Sequence, residues 1–347
     1  MQKPPKVSSV IINYNGEKFI EKCLESLTNQ DYPNFETIFI DNVSTDDSVK
    51  IVKEKFPQVK LIINEKNTGY VGGANQAVEI TDGKYLMILN PDIIYEKNYI
   101  SKCVEKMEEN PKIGVIGGKW LKYDFIKNEK QNVFDSTGLY CFKNRRIIDR
   151  GQGHEDKGQY DKEEIVFGIS GASPMYRREA LIDIGIPTPL IRGAGGVEIF
   201  DTDFFMYKED IDVSWRLNLR GWLCYYYPQA VAYHGRGTGV LKRANHLEVL
   251  KHRQSVSLLA KKLSYKNQRL MQIKNEIFLS FILDLPWILT KEILAFGYIL
   301  LKERFILKSI MELFSQIPNA LKKRRWIMKN KKINWKQMHY LLGRAKE

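Results

Sequence analysis

The side chains able to do chemistry sit in four short runs. Asn90-Pro91-Asp92 follows the apolar stretch Tyr85–Leu89. A carboxylate just past a buried strand can reach a divalent cation, which takes oxygen ligands and fills its other positions with phosphates and water. A turn built on Pro and Asp is the alternative. Glu209, Asp210 and Asp212 form an acidic knot after Phe204-Phe205-Met206-Tyr207. In a cleft, such a carboxylate is a general base for a substrate hydroxyl. At an ordinary helix N-terminus it only complements the dipole. His234 ends an aromatic run and precedes Gly235-Arg236-Gly237-Thr238-Gly239, which leaves room for a phosphate-bearing ligand that Arg236 can pair with. The run Asn67-Thr68-Gly69-Tyr70-Val71-Gly72-Gly73-Ala74-Asn75 is Gly-rich ahead of a helix. Backbone N–H groups around Gly72, Gly73 and Asn75 can face an anion there; a tight turn fits the spacing equally well. It is neither GxGxxG nor a Walker A sequence, so a standard dinucleotide or ATP site is not expected.

The elements that must hold these residues alternate between strand and helix. Apolar runs at residues 7–13, 35–41, 60–64 and 85–89 read as strands. Residues 17–29 carry Phe19, Ile20, Cys23, Leu24 and Leu27 at helical spacing. Ser44-Thr45-Asp46-Asp47 resembles a capping box opening a helix through Phe56, and a short helix is expected from Ala74 to Thr81. Such alternation predicts a largely parallel sheet with helices on both faces, and ligands at the carboxyl ends of its strands. Asp41, Asn64 and Asn90 to Asp92 fall at those ends. Residues 121–165 read as a loop-rich excursion. Residues 222–233 read as strand, turn at Pro228, strand, and a helix is expected from Val213 to Arg220.

The chain has 347 residues, 44% of them apolar and 12% aromatic, which excludes global disorder, collagen and coiled coil. Cys23, Cys103, Cys141 and Cys224 form no CxxC pair, so neither a disulfide framework nor a zinc ribbon is expected. Reduced thiols in a cytosolic compartment are the simple reading. Met1-Gln2-Lys3-Pro4-Pro5 has no apolar h-region, so no signal peptide is expected. Residues 246–347 hold 21 Lys and Arg against 7 Asp and Glu, a net charge of +14; the preceding residues hold 33 against 34. A neutral domain (residues 1–245) therefore carries a basic extension (residues 246–347).

Six segments in order then resemble inverting family 2 glycosyltransferases of the GT-A fold, and most of all their bacterial rhamnosyltransferase-type members. They are Val10-Ile-Ile-Asn-Tyr-Asn-Gly16, Ile40-Asp-Asn-Val-Ser-Thr-Asp46, the 67–75 run, Leu89-Asn-Pro-Asp92, Phe204-Phe-Met-Tyr-Lys-Glu-Asp210 and Tyr233-His234. The likeness covers about residues 6–240. It implies a Rossmann-like mixed α/β sheet with helices on both faces, followed by a C-terminal helical extension. It implies that Tyr14 and Asp41 hold the base of a UDP- or dTDP-sugar, since Asp41 can accept the imide N–H shared by uracil and thymine. Asn90-Pro91-Asp92 matches the metal motif, with Asp92 on Mg²⁺ or Mn²⁺ and His234 completing the metal–diphosphate site. Asp210, beside Glu209, matches the catalytic base. Gly171-Ala172 and the run at Phe204 match the acceptor side. Two departures stand out. Asn90 replaces the first metal-motif carboxylate, which lowers the charge there or turns Asn90 to the ribose. Gly195-Gly196 is separated from Phe200-Asp201 by three residues.

The extension lies beyond the resemblance. Residues 277–301 are dense in large apolar side chains but are interrupted by Asp284, Pro286, Lys291 and Glu292, so a spanning helix is not expected. Leu321-Lys-Lys-Arg-Arg-Trp326 and the lysines after it suit a helix lying on an anionic membrane surface. That predicts a cytoplasmic protein, peripheral on the inner face of the cell membrane, which meets a lipid-linked saccharide acceptor. A helical subdomain packed on the catalytic domain, or a homodimer interface, is the other reading. The basic charge also suits nucleic acid. Its mixture with aliphatic runs and the lack of a nucleic-acid motif argue against that partner.

Overall fold

The computed structural model describes residues 3–187, 196–236, 253 and 256–343. Its first half alternates β1 (Val7–Asn13), α1 (Glu17–Thr28), β2 (Phe35–Asp41), α2 (Ser48–Lys55), β3 (Lys60–Ile63), α3 (Gly69–Ile80) and β4 (Tyr85–Leu89). β1 lies parallel to both β2 and β4, and β3 extends the parallel set from β2. β1 and β4 are buried along their whole length, which explains their near-continuous apolar sequences.

The chain continues through β5 (Ile93–Tyr95), α4 (Tyr99–Glu109), β6 (Ile113–Asp124), β7 (Glu129–Ser136), β8 (Leu139–Cys141), β9 (Ile147–Asp149), β10 (Glu164–Val166) and β11 (Met175–Arg177). It then forms α5 (Arg178–Asp183), β12 (Ile186–Pro187), β13 (Val197–Glu198), α6 (Glu209–Leu219) and β14 (Leu223–His234). Among the described residues the main sheet has ten strands, with the path β10-β14-β6-β11-β4-β1-β2-β3; β5 adds to β14 and β7 to β6. β11 runs antiparallel between β4 and β6, so the sheet is mixed.

Four expectations need correction. Residues 121–165 are only in part a loop-rich excursion: β6 and β7 form a long antiparallel hairpin and β8 pairs with β9, while residues 150–163 remain turns and coil. β14 does not turn at Pro228. It continues through a bulge between Tyr227 and Val231, which accommodates a residue without an N–H. α3 begins at Gly69, not Ala74. No capping box opens α2: its cap, Asp47, makes no side-chain cap bond. Asp46 instead accepts from the N–H groups of Ser48 (3.1 Å) and Glu17 (2.9 Å), tying α1 to α2.

The extension forms α7 (Leu258–Asn275), α8 (Phe278–Lys302), α9 (Leu307–Lys329) and α10 (Trp335–Leu341). Leu270, Met271, Ala320, Ile327 and Met338 belong to the same core as the sheet, so α7, α9 and α10 pack on the sheet domain. Backbone links reinforce the packing: Lys332 N–H donates to Leu219 C=O at 2.8 Å, and Gly343 N–H to Cys141 C=O at 2.8 Å. The boundary expected at 245/246 lies outside the described residues. No helix among the described residues is long and apolar enough to cross a membrane.

Candidate active site

The carboxyl ends of β1 and β2 carry Tyr14 and Asp41. Tyr14 is 56% exposed and free to stack on a planar ligand. Asp41 is buried, with Oδ1 accepting from Asn13 Nδ2 (3.0 Å) and Ser44 Oγ (2.6 Å) and Oδ2 accepting from Ser44 N–H (2.8 Å). This network fixes the carboxylate, and the Asn13 Oδ1 beside it is buried without a partner.

Asp92, one residue before β5, faces His234 at the end of β14. Their atoms Oδ1 and Nε2 are 3.3 Å apart. The other ring nitrogen, Nδ1, is 2.8 Å from Asp135 Oδ2 on β7. Burial alone would lower the His234 pKa, but the two flanking carboxylates outweigh it and raise it to about 10. Asp92 Oδ1 is buried and receives no hydrogen bond. Held between two carboxylates, the ring is an imidazolium, and a cation bound by Asp92 and His234 would have to displace the Nε2 proton. The described residues contain no group of three or more His, Cys, Asp or Glu side chains able to hold a metal.

Glu209 and Asp210 open α6. Asp210 Oδ2 accepts from Gly171 N–H at 2.9 Å, and Oδ1 from Ile211 N–H at 2.8 Å. A Cβ on Gly171 would lie 3.1 Å from Asp210 Cβ, so only glycine allows this approach comfortably. Glu209 is buried, and its Oε2 has no hydrogen-bond partner. Burial, then the charge of Asp210, raise its pKa to about 8. Asp210 is also raised, chiefly by burial, although the N–H bonds and Lys208 oppose the shift. Two adjacent carboxylates with raised pKa values are the arrangement expected of a general base. The adjacent residue Ala172 accepts from Asn90 N–H at 2.9 Å. Gly171-Ala172 therefore ties the Asn90–Asp92 turn directly to Asp210.

Residues 8–185, just over half of the chain, match the family described as Glycosyl transferase family 2. The chain belongs to this family. It is 24% identical over 236 residues to poly-beta-1,6-N-acetyl-D-glucosamine synthase of Staphylococcus epidermidis, covering 67% of this chain and 50% of that protein. It is 32% identical over 123 residues to a dolichyl N-acetyl-alpha-D-glucosaminyl phosphate 3-beta-D-2,3-diacetamido-2,3-dideoxy-beta-D-glucuronosyltransferase of Methanococcus voltae, covering 32% of this chain and 38% of that one. The chain spans about half the length, or less, of these relatives. The solved structure of GalNAc-T7 with UDP, GalNAc and Mn²⁺ superposes with a TM-score of 0.54 at 13% identity, over 78% of this chain and 52% of that chain. The fold is the mixed α/β sheet of GT-A glycosyltransferases with C-terminal helices added.

On this family 2 framework, four residues expected at the donor are engaged elsewhere. Gly72 and Gly73 lie inside α3, where Gly72 N–H donates to Thr68 C=O at 3.3 Å and Gly73 lets the helix approach Ile12. Their N–H groups serve the helix rather than an anion. Asn75 is bound to the acceptor-side segment: Nδ2 donates to Phe200 C=O (2.8 Å), and Oδ1 accepts from Ile199 and Phe200 N–H (3.3 and 3.0 Å). Arg236 is held by two carboxylates, Asp135 Oδ1 at 2.5 Å and Asp149 Oδ2 at 2.6 Å. Its guanidinium braces the His234 support instead of standing free for a phosphate. The Gly237–Gly239 segment and Gly195 lie outside the described residues. Sequence reasoning missed Asp135 and Asp149, both in the stretch read as loop.

Proposed function

We propose that this chain is an inverting, metal-dependent glycosyltransferase. It moves a sugar from a UDP- or dTDP-sugar, with rhamnose a candidate, to a lipid-linked saccharide acceptor in the assembly of a cell-surface polysaccharide. The observation that carries this reading is the Gly171-Ala172 tie, which links the Asn90–Asp92 turn to the Asp210 carboxylate through two hydrogen bonds. A polysaccharide product is supported by the poly-beta-1,6-N-acetyl-D-glucosamine synthase relative.

Tyr14 stacks on the nucleotide base, and Asp41 accepts its imide N–H. Asn90 hydrogen-bonds the ribose. Asp92 and His234 would hold Mg²⁺ or Mn²⁺, which neutralises the charge developing on the leaving diphosphate. Asp135 keeps the His234 ring oriented for that role. Asp210 takes the proton of the acceptor hydroxyl, whose oxygen bonds to the anomeric carbon as the bond to the nucleoside diphosphate breaks on the opposite face. One displacement inverts the anomeric centre. Glu209, buried beside the base, raises the proton affinity of the pair.

The extension supports attachment to the inner face of the cell membrane. Phe278, Leu283, Trp287, Ile293, Leu294 and Leu301 are all more than 45% exposed on α8. Monomeric proteins rarely leave so large an apolar surface to water. Exposed Lys302, Arg304 and Lys308 flank it, which suits anionic lipid rather than a neutral partner.

The test is nucleoside diphosphate release from UDP-N-acetylglucosamine, UDP-glucose and dTDP-rhamnose, with a membrane lipid extract as acceptor. Asp210→Asn should fold and lose turnover by orders of magnitude. Near-normal turnover in that variant would remove the base assignment.

A further inference from the structure

The segment that delivers Glu209 and Asp210 into the cleft is strained. Phe205, Tyr207 and Lys208, none of them glycine, have φ values of 63°, 69° and 75°. Left-handed backbone at non-glycine residues persists only where its surroundings impose it. Here one side chain from the extension does much of that. Asn267 on α7 is fully buried, and the two protons of its Nδ2 are shared among the carbonyls of Phe204 (3.0 Å), Met206 (2.9 Å) and Tyr207 (2.9 Å). Its neighbour Lys266 donates Nζ to Asp203 C=O at 2.7 Å. Seven and eight residues on, along the same helix face, Lys274 Nζ lies 2.9 Å from Asp212 Oδ1, and Asn275 Nδ2 donates to the same oxygen at 2.8 Å. α7 therefore grips both the entry to α6 and its first turn, on either side of the carboxylate pair.

We propose that Asn267 is a positioning residue for Glu209 and Asp210, so that α7 is part of the catalytic centre and not an appendage that only carries the chain to its substrate. The proposal rests on the assignment of Asp210 as base. Three carbonyls pointing at one amide fix the reversal of the chain at residues 204–208. Without that amide, the strained residues relax toward ordinary φ values and carry the carboxylates off the acceptor. The donor side stays as it is, because Tyr14 just after β1, Asp41 at the end of β2 and Asp92 just before β5 are not bonded by the Lys266, Asn267, Lys274 or Asn275 side chains.

The experiment compares the full chain with Asn267→Ala by hydrogen exchange and by turnover. Exchange at amides 205–211 should speed up by at least about tenfold while β1 and β4 stay unchanged. On the donor that the wild type turns over among the three sugar nucleotides above, kcat should fall by about 100-fold, the scale set by an ångström of misplacement, with KM for the donor unchanged. If the alanine variant does not fold, Asn267→Ser, which keeps a polar side chain but offers one proton in place of two, is read the same way. Unchanged exchange at 205–211, unchanged kcat, or a donor KM that worsens in step with kcat overturns the proposal. Asp210→Asn, run in parallel, separates the two ideas. If that variant turns over normally, the base assignment fails, whereas an inactive Asp210→Asn beside a fully active Asn267→Ala rejects the positioning role alone.

Discussion

Lys323→Ala tests whether the extension is built into the catalytic fold. Lys323 comes from α9 and is 1% exposed. Its ammonium bridges Glu198 Oε1 (2.7 Å), Asp203 Oδ2 (3.0 Å) and Asp201, and Asp201 also pairs with buried Lys274. Removing the lysine takes the shared cation from three carboxylates, one of them fully enclosed, and leaves Lys274 on Asp201 with Lys266 nearby. Breaking a buried pair in this way costs about 3–5 kcal/mol. An unfolding entropy of about 2 cal/mol/K per residue gives roughly 0.7 kcal/mol/K for a chain of this length, so Tm should fall by about 4–7 °C. Burial pushes the Asp201 carboxyl up, but Lys274 and Lys323 outweigh it and hold its pKa well below the usual range. A depressed folded-state pKa stabilises the fold above the unfolded value and is lost as pH falls through the folded value. The variant should therefore lose its acid stability at higher pH than the wild type. Calorimetry across an acid pH series measures both effects. A Tm within about 1 °C of wild type at neutral pH would show that the extension contributes little to the catalytic fold, contrary to this reasoning.

Three further outcomes follow from the site. Because Asp210 and Glu209 are raised by burial and, for Glu209, by its neighbour's charge, the kcat–pH profile should fall on the acid side along a limb above the ordinary carboxylate range; protonation removes the base, and the apparent pKa belongs to the pair. A profile flat down to that range would contradict this. Gly171→Ala sets a methyl 3.1 Å from Asp210 Cβ and should lower kcat at least about tenfold, with UDP or dTDP binding intact by calorimetry. Asp135→Asn should weaken Mn²⁺ binding in the presence of UDP by about 10–100-fold, since the His234 ring loses its anionic support.

The parallel half of the fold was legible because β1 and β4 are buried on both faces and write continuous apolar runs. α3 was misplaced because glycines read as breakers, whereas Gly73 is there to let the helix approach Ile12 on β1. Asp92, His234, Glu209 and Asp210 were legible through local motifs. Asp135 and Asp149 were not: each is one carboxylate in a charge-rich hairpin, and its value appears only when β7 and β9 bring it to Arg236. Phe134, Asp135 and Ser136 are buried in a row, so β7 writes no period-two pattern that would single out Asp135. Lys274 and Lys323 were counted with a surface-seeking basic tail. Their partner Asp201 lies 73 and 122 residues away, a distance over which no local pattern speaks.

The central claim is that this cleft binds a nucleoside diphosphate together with a divalent cation. Melting of the full chain with UDP, dTDP, GDP, ADP and CDP, each with and without Mn²⁺ or Mg²⁺, tests it without knowledge of the acceptor. Ligand at 100 times its Kd stabilises the folded state by about 2.7 kcal/mol, or roughly 4 °C at the entropy used above. The account predicts such a shift for UDP or dTDP, dependent on the cation and abolished in Asp92→Ala. The absence of a shift with every nucleotide, or a full shift that persists in Asp92→Ala, would contradict it.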